Sequence, residues 1–172
     1  PTLQDLLEQG FAGVELPPQL AMPEATPAAA LAEDDLQRQR EQTEILTKML
    51  LHCRTMTLAD AGTLYLVDHS AGQPMLRFMC TQNDSLDLDY EETLLPCDDT
   101  SMAGYVACTG ETVSVEDVYS LPANSRYGFN QSFDSANGYR SKSMLTLPVR
   151  DQKGELRAVL QLINRKRGKH HL

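Results

Sequence analysis

The sequence predicts an α+β fold of three layers, in which a central antiparallel sheet carries helices packed on its faces. Residues 33–57 follow a helical period, whereas apolar residues further along the chain alternate as they do in strands. The last alternating segment, 158–163, is apolar at successive positions, which is typical of a strand covered on both sides. Turn-forming residues at 68–72 and 151–154 join neighbouring strand segments into hairpins.

Residues 1–32 are predicted to be an N-terminal appendage and a linker. Thr2 and Asp5 can cap a short leucine-bearing helix that Gly10 would end. The prolines at positions 17, 18, 23 and 27 lie among alanines, which is typical of linkers. The segment is therefore either a tether or a helix that docks on the domain or on a second copy of it.

Residues 33–57 are predicted to form the first helix of the domain. Acidic residues 33–35 suit a helix N-terminus, where the macrodipole favours negative charge. An apolar face carries Leu36, Leu46, Leu50 and Cys53, and it is widened by other residues, namely Ile45, Met49 and Met56. Because the first half is polar, we expect this helix to extend from the domain and to pair with a second copy, giving a homodimer.

The middle of the chain alternates between strand and helix patterns. Strands are predicted at 63–67, 75–80 and 112–115, and a helix at 101–110. The acidic loop 84–92 lacks the ligand spacing of an EF-hand calcium site, so the sequence favours a solvated loop.

The segment 119–141 is predicted to be a long polar connection with a helix near 131–136. Connections of this length within a compact domain are usually functional or disordered. The strands 145–149 and 158–163 close the domain, so the predicted order is α-β-β-α-β-α-β-β. We expect the domain to occupy residues 33–166 and a tail to follow at 167–172.

Composition excludes several classes of protein. The 172 residues carry a net charge of −9, which argues against a broad nucleic-acid surface. The basic run 165–169 is expected to be a solvated chain end. No apolar run is long enough to span a membrane, and no segment of this sequence resembles a signal peptide, so we expect no membrane partner. The four cysteines are scattered without C-x-x-C spacing, which predicts reduced thiols in the cytoplasm and no metal site.

Four phrases, read in order, resemble the GAF family, specifically the GAF domains of cyclic-nucleotide phosphodiesterases and related cyclases. The phrases are GTLYLVD (62–68), SMAGYVACTGE (101–111), GYRSKSMLTLPV (138–149) and VLQLINR (159–165), with VEDV (115–118) following the second. The resemblance covers about residues 36–166. It implies a regulatory sensor domain of a larger signalling protein, with cAMP or cGMP enclosed between the sheet and a lid at 119–141, and with an output domain on the same full-length chain.

The resemblance also implies a set of ligand-binding residues: Thr63, Met102, Ala103, Asp134, Asn137, Ser141 and Gln161. The chemistry fits, because a helix N-terminus at 101–104 offers backbone N–H groups to a phosphate and Gly104 permits close approach. Side chains such as Gln161 and Asn137 can hydrogen-bond a purine edge. In phosphodiesterase-type members the motif continues beyond Asn164 with a lysine, where this chain has Arg165, and many members have an acidic residue at the position of Gln161.

Two alternatives stay open. The domain could be a ligand-independent dimerisation module whose pocket is filled by Met79, Met102 and Met144, since methionine is flexible. It could also be a cysteine-based free methionine sulfoxide reductase, although the 138–149 phrase points elsewhere. No catalytic triad, H-E-x-x-H or glycine-rich phosphate loop is present, so we expect no enzymatic activity, no catalytic residue and no cofactor.

Overall fold

The computed structural model describes residues 33–70, 72–87 and 94–166. Three predicted segments therefore lie outside the described residues. They are the appendage 1–32, residues 88–92 of the acidic loop, and the tail 167–172. The division into appendage, domain and tail stays a prediction.

The described residues form three α-helices, one 3-10 helix and six strands. The helices are α1 (Glu33–Thr57), α2 (Met102–Thr109) and α3 (Ser132–Asn137), and the 3-10 helix is Val118–Ser120. The strands are β1 (Ala59–Asp68), β2 (Met75–Asn83), β3 (Leu94–Pro96), β4 (Val113–Val115), β5 (Met144–Arg150) and β6 (Leu156–Arg165). The predicted order is confirmed, with two additions, because the sequence pattern predicted neither the short strand β3 nor the 3-10 helix.

All six strands join one antiparallel sheet in the order β3-β2-β1-β6-β5-β4. Strand β6 lies between β1 and β5, as its two apolar faces predict. Strand β1 begins at Ala59, four residues before the predicted start at Thr63. Its first residues are small or acidic and carry no strand pattern, but they pair with the end of β6, for example Ala61 with Ile163.

Helix α1 packs on one face of the sheet, which we call the α1 face. Leu46, Leu50 and Cys53 join an apolar cluster with residues of the inner strands, such as Leu64 and Leu160. A Cβ atom at Gly62 would lie 3.0 Å from Leu50 Cδ1 and 3.1 Å from Arg54 Cγ. Glycine at position 62 therefore lets the helix lie close to the strand.

The first half of α1 stands away from this core. Its first buried side chain is Leu46, and the described side chains before it are exposed or half-exposed. Leu36, predicted to share the apolar face, is 41% exposed, because the sheet does not reach that end of the helix.

The opposite face, which we call the α2 face, is covered by α2 and by the β4–β5 connection (residues 116–143). Met102 and Val106 of α2 are buried against Met144 and Val159 of the sheet, and Val118 closes the same cluster from the connection. The sheet is thus covered by helices on both faces, as predicted.

Candidate functional site

A row of polar side chains crosses the α2 face of the sheet. Thr81, Thr63, Gln161 and Thr146 are partners in register across β2, β1, β6 and β5. Partners directly opposite in antiparallel strands project to the same face, and this face is otherwise apolar. Thr146 is 0% and Thr63 is 8% exposed. We call these four residues the polar row.

The polar row is held by its own hydrogen bonds. The hydroxyls of Thr63 and Thr81 are 3.0 Å apart, and Thr81 also donates to the Gly62 carbonyl at 3.0 Å. Gln161 Nε2 lies 3.2 Å from Thr146 Oγ1 and 3.1 Å from Met144 Sδ. A thioether sulfur accepts but does not donate, so this contact fixes the amide nitrogen toward Met144.

Helix α2 covers the face with two predicted site residues, Met102 and Ala103, which are both buried. Ser101 caps the helix, because its Oγ accepts a hydrogen bond from Gly104 N at 3.0 Å. The close approach that Gly104 allows is to protein backbone: a Cβ there would lie 2.4 Å from the Asp98 carbonyl oxygen and 2.8 Å from that of Pro96. Glycine at position 104 therefore lets the helix pack against the segment after β3, and its role toward a ligand stays a prediction.

Asp134 closes the β4–β5 connection on itself. The side chain is 3% exposed, and three donors converge on it. Tyr119 OH lies 2.7 Å and Ser141 N 2.7 Å from Oδ2, while Ser141 Oγ lies 2.9 Å from Oδ1. We call Asp134, Tyr119 and Ser141 the clasp. It joins the 3-10 helix, α3 and the residues before β5.

A cation supports the clasp from outside. The Arg140 guanidinium lies 3.8 Å from the centre of the Tyr119 ring and 3.7 Å from Asp117 Oδ1. The hydrogen bond to Asp134 raises the pKa of Tyr119, and burial adds to this, so the phenol stays protonated as a donor.

The structure brings some of the predicted site residues into contact and leaves others apart. Thr63 and Gln161 are neighbours on the sheet, and Asp134 and Ser141 are joined by hydrogen bonds. Asn137 lies at the end of α3, and its Nδ2 donates to the Phe133 carbonyl at 2.9 Å. Its amide nitrogen therefore stabilises the helix.

Sequence reasoning missed Thr81, Thr146 and Tyr119. Thr146 alternates with apolar Leu145 and Leu147, which signals the opposite face of β5, but the strand register that aligns it with Gln161 is not readable from the sequence. Met79 was expected to be able to fill the pocket, yet it packs against the cluster on the α1 face. A bulge where β2 pairs with Leu64 and Tyr65 shifts the register there, so Met79 lies on the wrong face for that role.

A cleft of about 470 Å³ opens along the outer part of the β4–β5 connection. The aromatic residues Tyr119, Tyr127 and Phe129 line it together with Arg126 and Asp99. It contains none of the seven predicted site residues.

The four cysteines are free thiols. Burial raises the pKa of Cys53 and of Cys80 to about 11, and burial together with the neighbouring Cys108 and Asp98 raises that of Cys97 to about 11. Burial and the charges of Asp98 and Asp99 also raise the pKa of Cys108. Because the thiolate is the nucleophile, the raised pKa values lower the fraction of reactive thiolate at neutral pH.

Within the described ranges, no group of three or more histidine, cysteine, aspartate or glutamate side chains is arranged to hold a metal ion. Across the same residues, no helix combines the length and the apolar character needed to cross a lipid bilayer.

The comparison with protein families decides the resemblance. The family model of the GAF domain matches residues 41–172. The chain belongs to the GAF family. Its α+β fold, with a six-stranded antiparallel sheet and helices, is the GAF fold. It is accordingly a regulatory sensor domain, of a family that binds small molecules.

Among curated proteins, this GAF domain is 28% identical over 143 residues to the dual 3',5'-cyclic-AMP and -GMP phosphodiesterase 11 of Drosophila melanogaster. The match covers 78% of this chain and 10% of that protein. The chain thus spans about a tenth of the length of this relative.

Solved structures share the fold at low identity. A methyl-accepting chemotaxis protein matches with a TM-score of 0.56 at 20% identity, over 75% of this chain and 77% of that one. A type II free methionine-R-sulfoxide reductase from Thermoplasma acidophilum matches with a TM-score of 0.52 at 14% identity, over 75% of this chain and 78% of that one. At such identities the likeness shows the fold alone.

Proposed function

We propose that this GAF domain senses a small molecule that binds between the polar row and the β4–β5 connection. The observation that carries the proposal is the polar row itself. Four hydrogen-bonding side chains in register on an otherwise apolar face are costly to bury unless they have partners. A row of this kind supplies donors and acceptors for a ligand's polar edge, with apolar surface on either side of it.

The ligand we propose is a cyclic nucleotide, cAMP or cGMP. Two points support this choice. A similar protein is named as a dual cyclic-AMP and -GMP phosphodiesterase. The clasp on the connection could also act as a lid, since it would have to open or move to admit a ligand. In the proposed mode, Thr63 and Gln161 contact the base and α2 lies on the phosphate side, with Met102 and Ala103 against the ligand. Asp134, Asn137 and Ser141 belong to the lid.

Ligand binding would act by changing the relative populations of the open and closed states of the β4–β5 connection. A ligand shifts an equilibrium between open and closed connections only by its difference in affinity for the two states. The output domain is proposed to lie on the same full-length chain, and the cytoplasm is the proposed location, since four free thiols suit a reducing compartment. We further propose that the domain is not an enzyme. The raised thiol pKa values support binding over cysteine catalysis.

Thermal unfolding with each nucleotide at millimolar concentration tests the proposal. A ligand at about 100 times its dissociation constant adds about 2.7 kcal/mol to the free energy of unfolding. For a domain of this size that raises the midpoint by about 5 to 10 °C. No shift with either cAMP or cGMP would contradict the cyclic-nucleotide proposal.

A matched pair of variants locates the site. Gln161→Leu removes the amide of the polar row and should weaken nucleotide binding by about tenfold, which corresponds to one lost hydrogen bond. Gln152→Leu makes the same change in the exposed turn between β5 and β6 and should leave affinity unchanged. Equal affinities for the two variants would place the ligand elsewhere, for instance in the outer cleft.

We propose that α1 pairs with a second copy of the chain. Ile45 and Met56 are exposed large apolar side chains, and with Met49 and His52 they follow a spacing of four, three and four residues. That is the heptad spacing of paired helices. Sedimentation equilibrium should give a dimer, and Ile45→Asp should shift it to monomer. A monomeric parent chain would contradict this pairing.

The second candidate function is a ligand-independent dimerisation module. It is favoured by the observation that the residues of the polar row hydrogen-bond among themselves, as do those of the clasp, without a ligand. A dimer whose thermal midpoint does not respond to either nucleotide would select this function over the sensor.

A further inference from the structure

A second polar cluster lies at the end of the sheet, where β1 begins and β6 ends. Its centre is the buried carboxylate of Asp60. Its other members are Arg54, Asp84, Tyr139 and Lys166, and we call these five residues the Asp60 cluster. None of them belongs to the predicted ligand site.

The Asp60 carboxylate joins three separate segments. Oδ2 accepts hydrogen bonds from Ser85 Oγ at 2.8 Å and from Tyr139 OH at 2.9 Å. Oδ1 lies 3.1 Å from Lys166 Nζ. Burial alone would raise the pKa of Asp60, but the hydrogen bonds from Ser85, Lys166 and Tyr139 outweigh it and hold the pKa below its usual value. The carboxylate is therefore charged at neutral pH.

Helix α1 enters the cluster through Arg54. This side chain is 4% exposed, and its NH2 donates to the Asp60 carbonyl at 2.6 Å and pairs with Asp84. Asp84 also lies 2.7 Å from Lys166 Nζ. The last turns of α1 and the end of β6 are thereby tied to the same carboxylate, that of Asp84, while the Asp60 carboxylate pairs with Lys166 and the Asp60 carbonyl accepts from Arg54.

The β4–β5 connection enters through Tyr139, which lies between the clasp residues Asp134 and Ser141 along the chain. Its backbone N–H donates to the Asp134 carbonyl at 3.1 Å, so a movement of the clasp moves Tyr139. Asn164 holds the same segment from β6. Its Nδ2 donates to Tyr139 OH at 3.1 Å and to the Arg140 carbonyl at 2.7 Å, and its Oδ1 accepts from Lys142 N at 2.6 Å. Its φ of 56° lies in the left-handed region, which asparagine tolerates better than most residues.

We infer that the Asp60 cluster couples the β4–β5 connection to α1 and to the chain that follows Lys166. The hydroxyl of Tyr139 is the link. When the connection shifts, Asp60 loses a hydrogen-bond donor, and the ion pairs that hold Arg54 and Lys166 readjust. Coupling needs an element that both sites bias. Here the Asp60 carboxylate receives Tyr139 from the connection and Lys166 from the end of β6, and Lys166 shares Asp84 with Arg54 of α1. The response to a ligand rests on the proposed function, whereas the coupling itself exists without a ligand.

Hydrogen exchange of the full chain without ligand tests the coupling, with Tyr139→Phe as the variant. The variant removes the hydroxyl that donates to Asp60 and accepts from Asn164, so amide exchange should speed up about fivefold in the connection at 132–142 and also at residues 50–58, the end of α1 and Leu58 after it. The matched control is Tyr105→Phe, which also removes a phenol that donates to a carboxylate, that of Glu111 at 2.8 Å. It should speed exchange only around α2.

The pattern of exchange distinguishes coupling from a local effect and from a general loss of stability. Faster exchange at 132–142 alone, with 50–58 unchanged, would overturn the inference. Faster exchange everywhere, including β2 at 75–83, would mean that the variant merely destabilises the domain, and would overturn it as well. If the parent chain binds a nucleotide, the ligand should change exchange at 50–58 in the parent and not in Tyr139→Phe. A failure of both nucleotides to bind would contradict the proposed function and leave the ligand-free result standing.

Discussion

The two faces of the sheet are built differently. On the α1 face, Leu46, Leu50 and Cys53 pack on aliphatic strand residues in a cluster of apolar side chains, and Gly62 brings the helix close. On the α2 face, the polar row crosses the sheet under α2, and the clasp of the β4–β5 connection converges on the carboxylate of Asp134.

This difference indicates which side chains can only stabilise the fold and which could also exchange their hydrogen bonds for bonds to a ligand. Apolar burial is non-directional, but a close-packed cluster cannot rearrange without losing contacts between its side chains. Hydrogen bonds within the clasp and the row can be exchanged for bonds to a ligand, since their net worth is about 1 kcal/mol each. Both faces carry an apolar cluster that stabilises the domain, and the α2 face in addition supplies polar groups that can change partners.

The largest effect should come from breaking the α1 face. Leu50 is 1% exposed while the adjacent Leu51 is 52% exposed. Leu50→Ala should lower the free energy of unfolding by about 3 kcal/mol, because it removes buried methyl groups and leaves a cavity. Leu51→Ala should change it by less than about 0.5 kcal/mol. Urea denaturation measures both, and equal losses would contradict the assignment of the buried face.

A smaller effect is expected from the clasp. Asp134→Asn removes the negative charge that strengthens the hydrogen bonds from Tyr119 and Ser141 N, and the Ser141 hydroxyl must turn round to accept from the amide NH₂ group. We expect a loss of about 2 kcal/mol, mainly as local opening of the β4–β5 connection. Limited proteolysis should then cut within residues 119–141 faster than in the parent chain. Glu116→Gln, at an exposed position of the same connection, is the control, and cleavage at the parent rate in Asp134→Asn would contradict the role of the clasp.

The α1 face could be predicted from the sequence because its signals are local. The helical period of residues 33–57 and the alternation in β5 and β6 identify the buried residues, and the two apolar faces of 158–163 give β6 its central place. The exception is the N-terminal half of α1, where Leu36 continues the apolar period although the sheet ends before reaching it.

The α2 face was only partly predictable, because its features arise from register and from distant contacts. Gln161 was recognisable as an amide in an apolar strand, but its alignment with Thr63, Thr81 and Thr146 depends on pairings between separate strands. Nor could the sequence show that Tyr119 and Ser141 would both reach Asp134. Lys166 was expected in a solvated basic run, whereas it pairs with Asp60 and Asp84.

Lowering the pH should test the charged contacts at the two ends of β1 separately from the packing on the two faces. The expected loss of stability is smaller than that from Leu50→Ala or Asp134→Asn. Hydrogen bonds from Ser70 outweigh burial and, with Arg77, lower the pKa of Asp68, and the pKa of Asp60 is lowered as well. In this range the unfolded chain binds more protons than the folded one, so stability falls as the pH drops below about 5 toward the lowered pKa values. Urea midpoints at several pH values measure this slope. Asp60→Asn should flatten it, and an unchanged slope would contradict the role of Asp60.

The smallest change in stability, and the sharpest distinction between the faces, is expected for Thr63→Val. The substitution keeps the shape of the side chain, and Thr81 retains its bond to the Gly62 carbonyl, so no buried donor is orphaned. The free energy of unfolding should therefore change by less than about 0.5 kcal/mol, whereas nucleotide affinity, measured by calorimetry, should fall about tenfold. Thr112→Val, at an exposed position before β4, should alter neither. If Thr63→Val loses stability and keeps its affinity, the polar row belongs to the core, and the α2 face does the same work as the α1 face.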